Sequence, residues 1–301
     1  MSYHLIGHLS ALVCDDYVEP LPGAKISIFL PGSFCSESRK KVTKYTTRNT
    51  HFYPIKETDL VHNEDYLLAE TTVGENGQFS LCWEELHLFT EPLEFTLSLK
   101  QIPGMSKPAS KSMHFYLGRF TPQWTRNKGN YRGAFAYIVP GKNWSQVRAG
   151  FQNWIITGAI NWEGTSQLAP GIRIEAFDKL SGKMISWGRT GDNGRFCLYY
   201  NPADIQYQGL RAIVSNNNIY LPAGPSVYFK CYDGNRLILS EHPDIATMRG
   251  RRDLSPCSRL NITLGNDANT YSDRSSTRNV NSTQKKKVLR YYKDMHLNIS
   301  Y

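Results

Sequence analysis

Residues 21–29 read L-P-G-A-K-I-S-I-F, and residues 169–177 read A-P-G-I-R-I-E-A-F. In both, a Pro-Gly step sets a turn: proline restricts φ, and glycine accepts the positive φ of a type II turn. The residues that follow alternate. Ile26, Ile28 and Leu30 point one way, with Lys25, Ser27 and Phe29 opposite; Ile172, Ile174 and Ala176 repeat this, with Arg173, Glu175 and Phe177 opposite. A period of two marks a strand with one buried face. Upstream, G-H-L-S-A-L from Gly7 matches G-A-I-N-W-E from Gly158. Downstream, E-N-G-Q-F-S-L from Glu75 matches D-N-G-R-F-C-L from Asp192. The Asn76-Gly77 and Asn193-Gly194 steps predict type I′ hairpins, with positive φ at both turn residues. Phe79 and Phe196, two residues beyond each glycine, are expected to plug the core. A repeated order of strand, turn, strand, hairpin and strand predicts two copies of one small β-domain.

This grammar resembles the transthyretin-like (prealbumin-like) β-sandwich, in particular its carboxypeptidase regulatory-like branch. Those domains read G-x-V, then P-L-P-G-A-x-V, then T-D-x-x-G-x-F. Here the first copy has P-L-P-G-A-K-I at 20–26 and T-T-V-G-E-N-G-Q-F at 71–79, and the second has A-P-G-I-R-I at 169–174 and R-T-G-D-N-G-R-F at 189–196. The resemblance covers about half of residues 4–265. It implies two tandem seven-stranded antiparallel sandwiches, all-β and transthyretin-like or Ig-like, with an accessory, non-catalytic role.

The first copy is longer. Gly23 and Gly77 stand 54 positions apart, against 23 for Gly171 and Gly194, so 31 extra residues fall at about 31–65. Their first half is basic, with Arg39, Lys40, Lys41 and Lys44. Insertions of this size in a compact domain are functional loops or solvated flaps. The expected organisation is a first sandwich at 1–117 and an aromatic-rich linker at 118–153, into which the first sandwich's last strand can extend. A second sandwich at 154–265 and a basic, aromatic C-terminal arm at 266–301 follow. Trp124, Trp144 and Trp154 make the linker too aromatic to be free, and suggest that it packs the repeats together or onto a partner.

The chain has 301 residues, a net charge of +9 and 40% hydrophobic residues, enough to fill two cores. No apolar run is long enough to span a membrane as a helix. The start lacks the basic and apolar regions of a signal peptide, so the expectation is a cytoplasmic protein or a particle assembled in the cytoplasm. Six cysteines at 14, 35, 82, 197, 231 and 257 form no C-x-x-C pair. Cys82 and Cys197 follow the hairpin turns, where a small apolar side chain belongs. Buried, reduced thiols are expected, with disulfides the alternative in an extracellular setting.

No catalytic, metal or cofactor site is expected. The eight histidines form no H-x-H or H-E-x-x-H, and there is no G-x-S-x-G or phosphate loop. Tyr131-Arg132-Gly133-Ala134 approaches the terminal Y-R-G-S of transthyretin-related hydroxyisourate hydrolases, but it lies mid-chain and lacks the serine. The candidate partner-binding site is in the arm: Lys285, Lys286, Lys287, Val288, Leu289, Arg290, Tyr291 and Tyr292 join charge to apolar and aromatic anchors. The expected role is a non-enzymatic structural or adaptor subunit that binds other subunits of a large assembly, homo-oligomers included. A phage-tail-like contractile injection apparatus is its most specific form. One alternative is a carbohydrate- or ligand-binding surface module. A second is nucleic-acid binding through the basic tail, disfavoured because the body shows no recognition motif.

Overall fold

The structure is a computed structural model, and it describes residues 1–14, 16–34, 52–85, 91–164, 167–205 and 224–265. The arm residues 285–292, Cys35 and the basic cluster from Arg39 to Lys44 lie outside the described residues.

The first repeat has two five-stranded sheets. One holds β1 (Ser2–Val13), β2 (Tyr17–Pro20), β6 (Gln78–Glu84), β9 (Thr125–Asn127) and β10 (Asn130–Val139). The other runs in the order β4 (Tyr53–Ile55), β8 (Met113–Phe120), β7 (Leu93–Leu99), β3 (Lys25–Phe29), β5 (Leu67–Thr72). The second repeat has two four-stranded sheets. One centres on β11 (Trp154–Trp162), which pairs with β14 (Arg195–Tyr200), β17 (Cys257–Arg259) and β18 (Ile262–Leu264). The other runs β13 (Met184–Arg189), β12 (Arg173–Asp178), β15 (Val227–Asp233), β16 (Arg236–Ser240). In each repeat, inward residues from both sheets share one core, as in a sandwich.

The duplication extends to individual hydrogen bonds. Leu9 N donates to Gly77 O (2.8 Å) as Ile160 N does to Gly194 O (3.0 Å), and Gly23 N to Val73 O (2.9 Å) as Gly171 N to Thr190 O (3.0 Å). Phe79 stands opposite Gly7 in the β1–β6 register, and Phe196 opposite Gly158 in β11–β14. Both rings are buried. A Cβ on Gly7 would meet the Phe79 ring at 2.2 Å and Phe135 O at 2.6 Å; on Gly158 it would meet Leu260 O at 1.9 Å and the Phe196 ring at 2.9 Å. In each repeat the first-strand glycine admits both the core phenylalanine and the backbone of the returning chain.

Three expectations are corrected. Among the described residues the two sandwiches have ten and eight strands rather than seven each, and their sheets are not wholly antiparallel. β1 pairs in parallel with β10, and β11 in parallel with β17 and β18, because the chain ends each repeat by returning beside the strand that began it. Hairpin signals cannot report that direction of return. The Asn-Gly turns are not type I′. Gly77 and Gly194 have φ of +80° and +64°, but Asn76 and Asn193 have no positive φ. Gly77 N donates to Gly74 O (2.9 Å) and Gly74 N to Gln78 O (2.8 Å), with the same pair of bonds at Gly194 and Gly191. This is a three-residue loop, a turn followed by a left-handed glycine.

The described part of the insertion folds back on its own sheet. Phe34, Tyr53, Ile55 and Leu60, the last on helix α1 (Glu57–His62), pack with Phe29 and Tyr116 in a separate small cluster. β3 is therefore buried on both faces, Ser27 and Phe29 included, rather than on one. In the segment 118–153, β9 and β10 complete the first sheet, and helix α2 (Gly141–Gly150) follows.

Gly7→Ala and Gly158→Ala should each destabilise the protein, on the overpacking scale of about 1–3 kcal/mol. Gly158→Ala should be the worse, because its backbone obstacle, Leu260 O, is closer than the Phe135 O that a Cβ on Gly7 would meet. Gln78→Ala, on an exposed strand position, should be close to neutral. Urea unfolding of the three variants checks the ranking, and a neutral Gly158→Ala would contradict the close approach at Leu260.

Candidate functional site

The chemistry concentrates at the seam between the repeats. Trp144, Val147 and Arg148 lie three and four positions apart on α2, so they share one face, and all three are buried. Arg148 is wholly buried, and its Nη2 donates to Glu19 Oε1 on β2 at 2.5 Å. Trp144 Nε1 donates to the same oxygen at 2.5 Å, and Tyr199 OH on β14 reaches Glu19 Oε2 at 3.5 Å. The other guanidinium nitrogen, Nη1, donates to Asn153 O (3.1 Å) and Pro103 O (3.4 Å), and Asn153 Nδ2 donates to Pro103 O (3.0 Å). The guanidinium also lies 5.2 Å from the Tyr199 ring centre and 5.6 Å from that of Trp144. Burial, with the Glu19 carboxylate adding to it, pushes the Tyr199 hydroxyl up from its ordinary pKa.

The first sheet of the second repeat serves two cores. Ile156, Phe196 and Leu198 face its own core, whereas Ile155, Cys197, Tyr199 and Cys257 pack against the core of the first repeat. At the rim, Asp16 Oδ2 accepts from Arg195 Nη1 (3.3 Å) and lies 3.0 Å from Arg259 Nη1. Of the linker tryptophans, Trp124 packs edge-on to Tyr3 in the first repeat (5.0 Å), Trp144 sits at the seam and Trp154 belongs to the second core.

A second surface lies on the outer face of the β13-β12-β15-β16 sheet. Trp187 is 57% exposed, with Met184 and Leu237 also exposed. Glu175 stands between Trp187 and Lys230 in register, and Phe177 stacks on Tyr228 at 5.4 Å. Lys230 lies over Phe177 (5.0 Å) and Arg173 over Tyr232 (4.2 Å). Phe177 occupies the position that Phe29 holds in the first repeat. There the insertion covers the ring, with Phe34 at 5.0 Å. In the second repeat, among the described residues, Trp187, Met184 and Leu237 remain exposed on the corresponding face, while Tyr228 is buried.

Sequence reasoning placed the partner site in 285–292, outside the described residues, and singled out neither Glu19, Arg148 nor Trp187. Trp187 had a readable signal, since it stands two places before Arg189 in an alternating run; Glu19 had none. Cys82 is corrected: Phe79, Leu81 and Trp83 point inward along β6, so Cys82 points out and is exposed. Tyr131, of the Y-R-G-A sequence, is a buried strand residue stacked on Tyr3 at 5.1 Å. Among the described residues no group of three His, Cys, Asp or Glu side chains could hold a metal ion, and no helix is long and apolar enough to cross a membrane.

No protein-family model and no curated protein matches the chain. Among solved structures, a 9R-lipoxygenase from Cyanothece PCC8801 is similar over 48% of this chain at 16% identity and a TM-score of 0.27. The match spans only 23% of the lipoxygenase. The shaft pilin SpaA from Lactobacillus rhamnosus GG matches 87% of this chain and 96% of its own at 9% identity, with a TM-score of 0.25. The major plantain pollen allergen Pla l 1 matches 47% and 95% at 13% identity, with a TM-score of 0.22. Likenesses this weak carry no argument about family or activity.

Removing one partner of the seam pair leaves a buried charge unpaired, a loss of about 3–5 kcal/mol. Arg148→Met and Glu19→Leu should each show it in denaturant unfolding. The double variant should recover much of the loss, and strictly additive losses would contradict a coupled pair.

Proposed function

We propose that this protein is a non-enzymatic structural or adaptor subunit of a larger assembly, built from two transthyretin-like or Ig-like repeats joined into one body. One observation carries the proposal. On the outer sheet face that the first repeat covers with its own inserted segment, the second repeat exposes Trp187, Met184 and Leu237 among the described residues. The internal comparison indicates what fits there: a polypeptide segment with aromatic and aliphatic side chains, as Phe34 and Tyr53 supply in the first repeat. Exposed aromatics ringed by charge are the composition of protein-binding surfaces. The seam supports the same role, because buried polar bonds between repeats suit a load-bearing spacer better than a hinged one. The C-terminal arm at 266–301, with its Lys285–Lys287 cluster and Tyr291 and Tyr292, is a second attachment point in this proposal.

The experiment compares native complex size, by sizing with light scattering from the source cells, for three forms of the full chain. Trp187→Ser combined with Leu237→Ser should reduce incorporation into the large complex at least tenfold, with unchanged thermal melting. Deleting 266–301 should also abolish incorporation without altering the melting of residues 1–265. A protein that elutes as a free monomer in all three forms would overturn the proposal. Binding of oligosaccharide to the Trp187 face, lost in Trp187→Ser, would replace it with the carbohydrate-binding alternative.

A further inference from the structure

The seam brings together two thiols from different repeats. Cys14 follows β1 in a left-handed turn (φ +49°), and Cys257 opens β17. An ion pair flanks them. Asp16, two residues after Cys14, lies 3.0 Å from Arg259, two residues after Cys257, and it also holds Arg195. On β17, Ser258 points into the second core, so Cys257 and Arg259 face the first repeat together. Both thiols pack against the first-repeat core, neither is in a disulfide, and each side chain lies within reach of the other. The pair is asymmetric. The Cys14 interaction, then the Arg148 guanidinium and Ser145, lower the Cys257 pKa against the opposing effect of burial, whereas Cys14 is raised.

We propose that Cys14 and Cys257 are a redox modification site, which closes into a disulfide between the repeats by exchange with a low-molecular-weight disulfide. The Cys257 thiolate attacks one sulfur of the small disulfide, forming a mixed disulfide and expelling one thiolate. Cys14 loses its proton to solvent, and its sulfur attacks Cys257 Sγ, expelling the second thiolate. Two protein thiols are oxidised and one small disulfide is reduced to two thiols, which take up the two protons released. The thiolate is the reactive form in each step. Closure ties residue 14 to residue 257, and so locks the two ends of the described body around the Glu19–Arg148 pair. A reducing thiol reopens it. Cys82, exposed and opposite His4 in the β1–β6 register, should take a mixed disulfide, and so serves as an internal control.

The test uses the full chain and oxidised glutathione. After acid quenching, alkylation and digestion without reductant, mass spectrometry should find a Cys14–Cys257 cross-linked peptide in the majority of chains, removed by dithiothreitol. Cys14→Ser should halt the reaction at a glutathione adduct on Cys257. Cys257→Ser should leave Cys14 alkylatable. Both variants should melt like the parent chain in reductant, which separates loss of the bond from loss of the fold. Glutathione on Cys82, with Cys14 and Cys257 both still alkylated, would overturn the proposal. A Cys14–Cys197 peptide in place of Cys14–Cys257 would overturn it equally.

Discussion

Glu19 and Arg148 are both removed from water, and a buried charge is tolerated only where its partner and its remaining hydrogen bonds are close at hand. That constraint organises the seam. Arg148 must lie over Glu19, so α2 must lie against β2. Trp144 follows onto the same carboxylate, and Tyr199 brings the second repeat to its other oxygen. Asn153 and Pro103 accept from Nη1, while the buried Nε of Arg148 has no hydrogen-bond partner among the described residues. The turn between the repeats is thereby held from three sides. A hydrophobic contact alone would allow the repeats to slide, whereas directed bonds to one carboxylate admit few geometries.

The duplicated body then diverges in how it manages its sheet faces. Each repeat keeps the same hairpin bonds, the same core phenylalanine and the same first-strand glycine. The outer faces differ. The insertion in the first repeat leaves β3 buried on both faces from Ile26 to Phe29. The second repeat keeps Phe177, Tyr228 and Trp187 facing outward, with Lys230 and Arg173 resting on aromatic rings. Cations stacked on exposed rings reduce the apolar area that meets water.

A third use of the sheets is internal. The β14-β11-β17 sheet has no solvent-facing side over much of its length, because alternate residues serve the two cores. This is why Cys197 and Cys257, outward by strand parity, are nonetheless partly buried and reach the first repeat. The same packing sets Cys257 against Cys14, thiols 243 positions apart in the chain.

Local residue patterns alone determined much of the fold. The Pro-Gly and Asn-Gly steps, the period of two at Ile172, Ile174 and Ala176, and the phenylalanines two places past each turn gave away a duplicated all-β body. Each is a short-range effect, set by backbone sterics and by which strand face meets water. The tertiary structure alone decided the rest. The parallel return of β10 and β17, the burial of Ser27 and Phe29 under an insertion, and the outward turn of Cys82 all depend on what packs where. Nothing in Y-V-E-P distinguishes Glu19 from a solvated strand residue. It became the anchor of the seam only when α2 brought a guanidinium and an indole to it, because a buried charge derives its role from its partners rather than from its neighbours in sequence.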